Sequence, residues 1–149
     1  MTGSVQSAAE RREKIQAHAA SLGIDEAYIS KLVETFYARI QTHTQLGPIF
    51  AQVIGSNDWA PHLATMKSFW SSVALSTGRY SGQPVPKHKA IGAIEQEHFS
   101  LWLDLFEVTL KDTAPSEAAV PYFMERANRI AQSLKLAIFG MPGLPLPHG

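Results

Sequence analysis

Any metal or covalent chemistry in this chain would have to rest on histidine and oxygen ligands. Its 149 residues include six histidines and no cysteine. That composition excludes disulfides, thiolate zinc sites, cysteine-ligated iron–sulfur clusters and a cysteine nucleophile. His88 is the most informative of the six. It follows Gly82-Gln83-Pro84-Val85-Pro86-Lys87 and precedes the aromatic-rich run His98-Phe99-Ser100-Leu101-Trp102-Leu103-Asp104-Leu105-Phe106. A neutral imidazole set just after two prolines is a physically sensible axial ligand for iron, haem iron included.

Three polar side chains fall on otherwise apolar helical faces. Tyr37 shares the stripe of Ile29, Leu32, Val33, Phe36 and Ile40. His62 lies with Met66 and Phe69, and Trp102 with Phe99, Leu103, Phe106 and Leu110. Each taken alone is an ordinary satisfied core residue, because buried phenols, imidazoles and indoles usually find a structural hydrogen bond. Together they would supply polar hydrogens around one apolar cavity. A different metal chemistry is suggested by Glu95-Gln96-Glu97-His98, the Glu-x-x-His pattern of di-iron carboxylate bundles. Such a site needs a second copy, and no other histidine has glutamate three positions before it. His18, His43 and His148 read as exposed polar residues.

The elements that must position these groups are helices. Residues 7–22 are polar and Ala-rich with a weak apolar stripe, which predicts a helix ending at Gly23 that the core does not need. Asp25 caps a strongly amphipathic helix through Ile40. Leu46-Gly47-Pro48-Ile49-Phe50 interrupts the pattern. Ser56-Asn57-Asp58 supplies cap chemistry for a helix with Pro61 in its tolerated first turn and the stripe Trp59, His62, Leu63, Met66, Phe69, Trp70 and Val73. Residues 77–86 read as loop, 94–111 and 116–139 as two further helices, and 141–149 as a flexible tail. The expectation is an all-α chain with four core helices: an N-terminal extension over 1–24, one domain over 25–140, and a tail over 141–149.

Composition narrows the function classes. Thirteen basic residues balance thirteen acidic ones, and no basic cluster is large enough to suggest nucleic acid. No signal peptide and no run of eighteen apolar residues is present, so a cytoplasmic protein without a membrane role is expected.

Read together, Phe36-Tyr37, Leu46-Gly47-Pro48-Ile49-Phe50, His62 with Phe69-Trp70, Gly82-Gln83-Pro84 leading to His88, and His98-Phe99 with Trp102 to Phe106 resemble the truncated haemoglobins of the group III type. The resemblance spans residues 28–139. It implies a two-over-two helical sandwich around haem b, iron protoporphyrin IX, with an extra N-terminal helical extension. It implies His88 as the proximal iron ligand, with Phe50, Phe69, Trp70, Met66 and His98 around the cofactor, His98 near a propionate. Tyr37, His62, Trp102 and Phe36 would form the distal pocket, Tyr37 and Trp102 donating hydrogen bonds and His62 gating. The implied ligands are dioxygen, nitric oxide or carbon monoxide, in a monomer or weak dimer. Nitric oxide dioxygenase or peroxidase-like turnover with a reductase remains open, as do a haem-based sensor and a cofactor-free helical interaction module.

Overall fold

The computed structural model describes residues 7–54, 58–78 and 95–139. His88, the run from Gly82 to Pro84 and the tail lie outside the described residues. Six helices are described, with no strand among these residues: α1 Ala8–Ser21, α2 Glu26–Thr42, α3 Leu46–Val53, α4 Trp59–Leu75, α5 Gln96–Thr113 and α6 Ala119–Phe139. Helices α2 and α4 form one packed pair and α5 and α6 the other; α2 also packs on α5, and α4 on α6.

Helix α2 shows why this arrangement forms. Asp25 accepts a hydrogen bond from the Tyr28 backbone N–H at 2.8 Å, satisfying one of the donors a helix start leaves over. Tyr28, Ile29, Leu32, Val33, Phe36, Tyr37 and Ile40 are all buried. They fall in two adjacent columns four residues apart, a face wide enough to meet α4 and α5 together. Burying each large apolar side chain of this face contributes about 1.5–3 kcal/mol. One polar tie crosses the same contact: Arg39 donates to Thr109 Oγ1 at 3.3 Å and pairs with Asp112 at 2.9 Å. Thr109, fully buried, donates in turn to the Leu105 carbonyl at 2.8 Å.

Two sequence expectations change. The interruption at Leu46 is itself a helix, α3. Pro48 sits in its first turn, where a missing N–H costs nothing. Its cap comes from an unexpected residue, since His43 Nδ1 accepts from the backbone N–H groups of Gln45 at 3.1 Å and Leu46 at 3.0 Å. His43 is thus a half-buried structural group rather than a solvated one. Gly47 lets α3 press against the end of α2, for a Cβ there would lie 2.9 Å from the Gln41 carbonyl oxygen and 3.2 Å from that of Ile40. Gly47→Ala is therefore expected to destabilise the fold by about 1–3 kcal/mol, the usual cost of overpacking. A urea midpoint equal to that of the parent would show that α3 does not need this close approach.

The second change concerns α1. Ser7 and Glu10 form a reciprocal capping box, and the helix docks by a few specific contacts rather than an apolar stripe. Ala19 is fully buried, Gln16 donates to the Leu75 carbonyl at 3.0 Å, and the His18 ring packs on Tyr122 at 5.6 Å. Gly23 turns the chain at a φ of +84°, against Pro115, delivering Ile24 to the core. The core therefore includes residues from this extension.

Candidate functional site

Three helices meet at Tyr37. It is buried on α2 with its ring edge-on to Phe36 at 5.4 Å, to Phe50 of α3 at 6.1 Å, and to Trp59 and His62 of α4 at 6.4 and 5.1 Å. Phe36 extends the cluster to α5, meeting Trp102 at 5.6 Å and Phe106 at 5.0 Å, again edge-on. Edge-to-face contacts of this kind match the positive ring edge to the negative face and add to simple area burial.

The polar atoms inside this aromatic shell set its chemistry. Burial alone holds the Tyr37 phenol well above the ordinary tyrosine range, because ionisation would place a charge in an apolar enclosure. The hydroxyl therefore stays protonated and is a hydrogen donor only to something that enters. Among the described residues it makes no hydrogen bond. His62 places its Nε2 atom in the interior as well. A buried phenol and an imidazole nitrogen among apolar rings suit a small, weakly polar ligand that gains negative charge when bound.

The structure places Phe36, Phe50 and His62 against Tyr37, and Trp102 joins them through Phe36. Met66 and Phe69 pack at the half-buried edge of the same core. Trp70 sits deeper, almost fully buried, and stacks on Phe106 at 5.0 Å. Two further residues belong to the site. Trp59 touches both Tyr37 and His62, and Phe106 touches Phe36, Trp70 and Trp102. Both lay on the sequence stripes, Trp59 three residues before His62 and Phe106 four after Trp102, and those helical spacings were the available signal.

His98 has a defined structural task. Its Nδ1 accepts from the Glu95 backbone N–H at 2.8 Å, while the Glu95 side chain accepts from the His98 backbone N–H. The Glu-x-x-His pair is a helix cap. In the neutral ring the proton then sits on Nε2, leaving that nitrogen as an outward donor. Among the described residues no group of three His, Asp or Glu side chains is placed to hold a metal ion, and no helix is long and apolar enough to cross a membrane.

No family model matches the chain. It is similar to the group 3 truncated hemoglobin ctb of Campylobacter jejuni, with 35% identity over 122 residues, covering 80% of this chain and 95% of that protein. The crystal structure of a group III truncated hemoglobin from Campylobacter jejuni superposes with a TM-score of 0.75 at 34% identity, covering 81% of this chain and 96% of the other. At that identity, over four fifths of this chain and nearly the whole of the relative, the chain belongs to the group III truncated haemoglobins.

Proposed function

We propose that this globin holds haem b through His88 and binds dioxygen, with nitric oxide and carbon monoxide as further ligands, on the side lined by Tyr37, His62 and Trp102. Family membership implies the haem and the diatomic gas. The observation that carries the finer reading is the buried Tyr37 phenol, protonated, edge-on to His62 and enclosed by Phe36, Phe50 and Trp59. That donor set fits a haem with a gas ligand. When bound, the haem supplies an iron that takes up the gas and transfers electron density to it.

The protein's residues then have separable tasks. Tyr37 is the first hydrogen donor to the charge that develops on the gas, and the Trp102 indole N–H is the second. Phe36, Phe50, Met66, Phe69 and Trp70 exclude water, which would otherwise compete for those donors. His62 gates entry from α4. His98, with Nδ1 engaged in its cap, offers Nε2–H to a propionate carboxylate. The decisive test is spectroscopic: the full chain supplied with haem should develop a Soret band with the features of histidine ligation, and a featureless spectrum would reject the reading.

Tyr37→Phe and Trp102→Phe are each expected to speed dioxygen release. A hydrogen bond to a charged partner contributes about 1.5–3 kcal/mol, which is roughly ten- to a hundredfold in dissociation rate. Stopped-flow displacement measures it. Unchanged release in both variants would reduce the two rings to packing.

A further inference from the structure

The aromatic rings do not stop at the candidate pocket. Trp102 and Phe106, one turn apart on α5, lie with centroids 5.3 Å apart and planes within 5°. Trp70 of α4 also stacks with Phe106, at 5.0 Å and 19°. Trp70 meets Phe123 of α6 at 5.9 Å, and Phe123 meets Tyr28 of α2 at 5.8 Å and Tyr122 at 6.0 Å. Oxidisable rings thus alternate with phenylalanines from the pocket wall to the far end of α2.

The tyrosines at hand differ in how easily they could lose an electron, because a phenol must shed its proton as it is oxidised. Tyr37 has no hydrogen-bond acceptor among the described residues. Tyr122 donates to the Ala74 carbonyl at 2.7 Å, and the Arg126 guanidinium lies 3.6 Å above its ring, where a cation opposes electron removal. Tyr28 is the favoured terminus. Its hydroxyl lies 3.0 Å from Thr113 Oγ1, and Thr113 spends its own hydrogen on the Thr109 carbonyl at 2.8 Å. The phenol is therefore the donor, to a half-buried hydroxyl at the end of α5.

We propose that the Trp102–Phe106–Trp70–Phe123–Tyr28 stack carries oxidising equivalents out of the candidate pocket and delivers them to Tyr28. One electron moves from Tyr28 along the rings to an oxidised Trp102. The Tyr28 proton is lost to water as the phenol is oxidised, past the half-buried Thr113 hydroxyl that accepts its hydrogen bond, and Trp102 recovers from water any proton it has lost. No bond between heavy atoms forms or breaks. The oxidant is a hydroperoxide, whose reduction to alcohol and water takes two electrons and two protons; two such transfers supply the electrons, the Tyr28 radical being re-reduced after each by a small phenolic donor in solution, water supplies the protons, and only this source rests on the haem reading.

The path can be tested apart from that reading by pulse radiolysis of the full chain with azide radical, a one-electron oxidant made in solution that becomes azide anion. It attacks the accessible indoles first. The tryptophan-radical absorption is expected to decay as the tyrosyl-radical absorption rises, at a first-order rate independent of protein concentration. Tyr28→Phe, which keeps the ring and removes only the hydroxyl, should abolish most of the tyrosyl yield, whereas Tyr122→Phe should leave it. Trp70→Phe and Phe106→Leu, with folding checked by circular dichroism, should slow the transfer by an order of magnitude. An unchanged yield in Tyr28→Phe, a loss in Tyr122→Phe instead, or an unchanged rate in Trp70→Phe would overturn the proposal.

Discussion

His88→Ala is expected to abolish the histidine-ligated haem spectrum and to weaken haem retention by about 100-fold or more, since even residues that merely orient a metal ligand are worth 10–100-fold. The argument is one of supply. With no cysteine in the chain, an imidazole is the ordinary strong axial ligand left to a globin-type haem. His43 and His98 each commit Nδ1 to backbone N–H groups, and both stabilise helix starts through that bond. The His18 ring packs on Tyr122, on the α1 side of the fold. His62 belongs to the wall shared with Tyr37, so it faces the proposed gas ligand rather than replacing the proximal residue. Haem titration followed by the ferrous spectrum checks this directly. His62→Leu serves as the paired variant, expected to retain the Soret band, and an unchanged ferrous spectrum in His88→Ala would remove the central assignment.

Parts of this architecture were legible in the sequence for a definite reason. Helix α2 repeats its apolar residues four apart behind an aspartate cap, and both signals are local. The same holds for the faces that present His62 and Trp102. What escaped the sequence was long-range or chemically unusual. Helix α3 was hidden because Gly47 and Pro48 read as breakers, whereas Gly47 answers a close approach to α2 and Pro48 falls where proline is harmless. Its cap is a histidine, a residue outside the usual Ser, Thr, Asp and Asn set. Helix α1 showed little stripe because it docks through Gln16, His18 and Ala19, contacts without apolar period. At the site, Tyr37, His62 and Trp102 stood out as polar groups on apolar faces. Trp59 and Phe106 did not, because an aromatic ring on an apolar stripe looks the same whether it touches a ligand site or not.

Phe106→Ala is expected to cost about 3–5 kcal/mol of stability, the range for deleting a buried aromatic ring. Phe106 is 1% exposed and is contacted by Phe36, Trp70 and Trp102, one ring from each of α2, α4 and α5. Three rigid rings cannot collapse into the vacated space without leaving their own packing, so the cavity persists and the loss falls toward the upper end. Against a total of about 5–15 kcal/mol for a domain of this kind, that is a large share, and the urea midpoint should fall with an unchanged slope. A loss under about 1 kcal/mol would contradict the central position given to this ring, since such a value is typical of surface changes. Phe106→Leu retains most of the volume and is expected to lose less. The pair of variants also separates packing from function. Trp102 rests flat on Phe106, so in either variant its indole loses the surface that sets its angle, and dioxygen release should quicken in both although Phe106 carries no polar atom. If Phe106→Leu releases dioxygen at the parent rate while Trp102→Phe does not, the indole is held by its edge contact with Phe36 instead, and the stack serves stability alone.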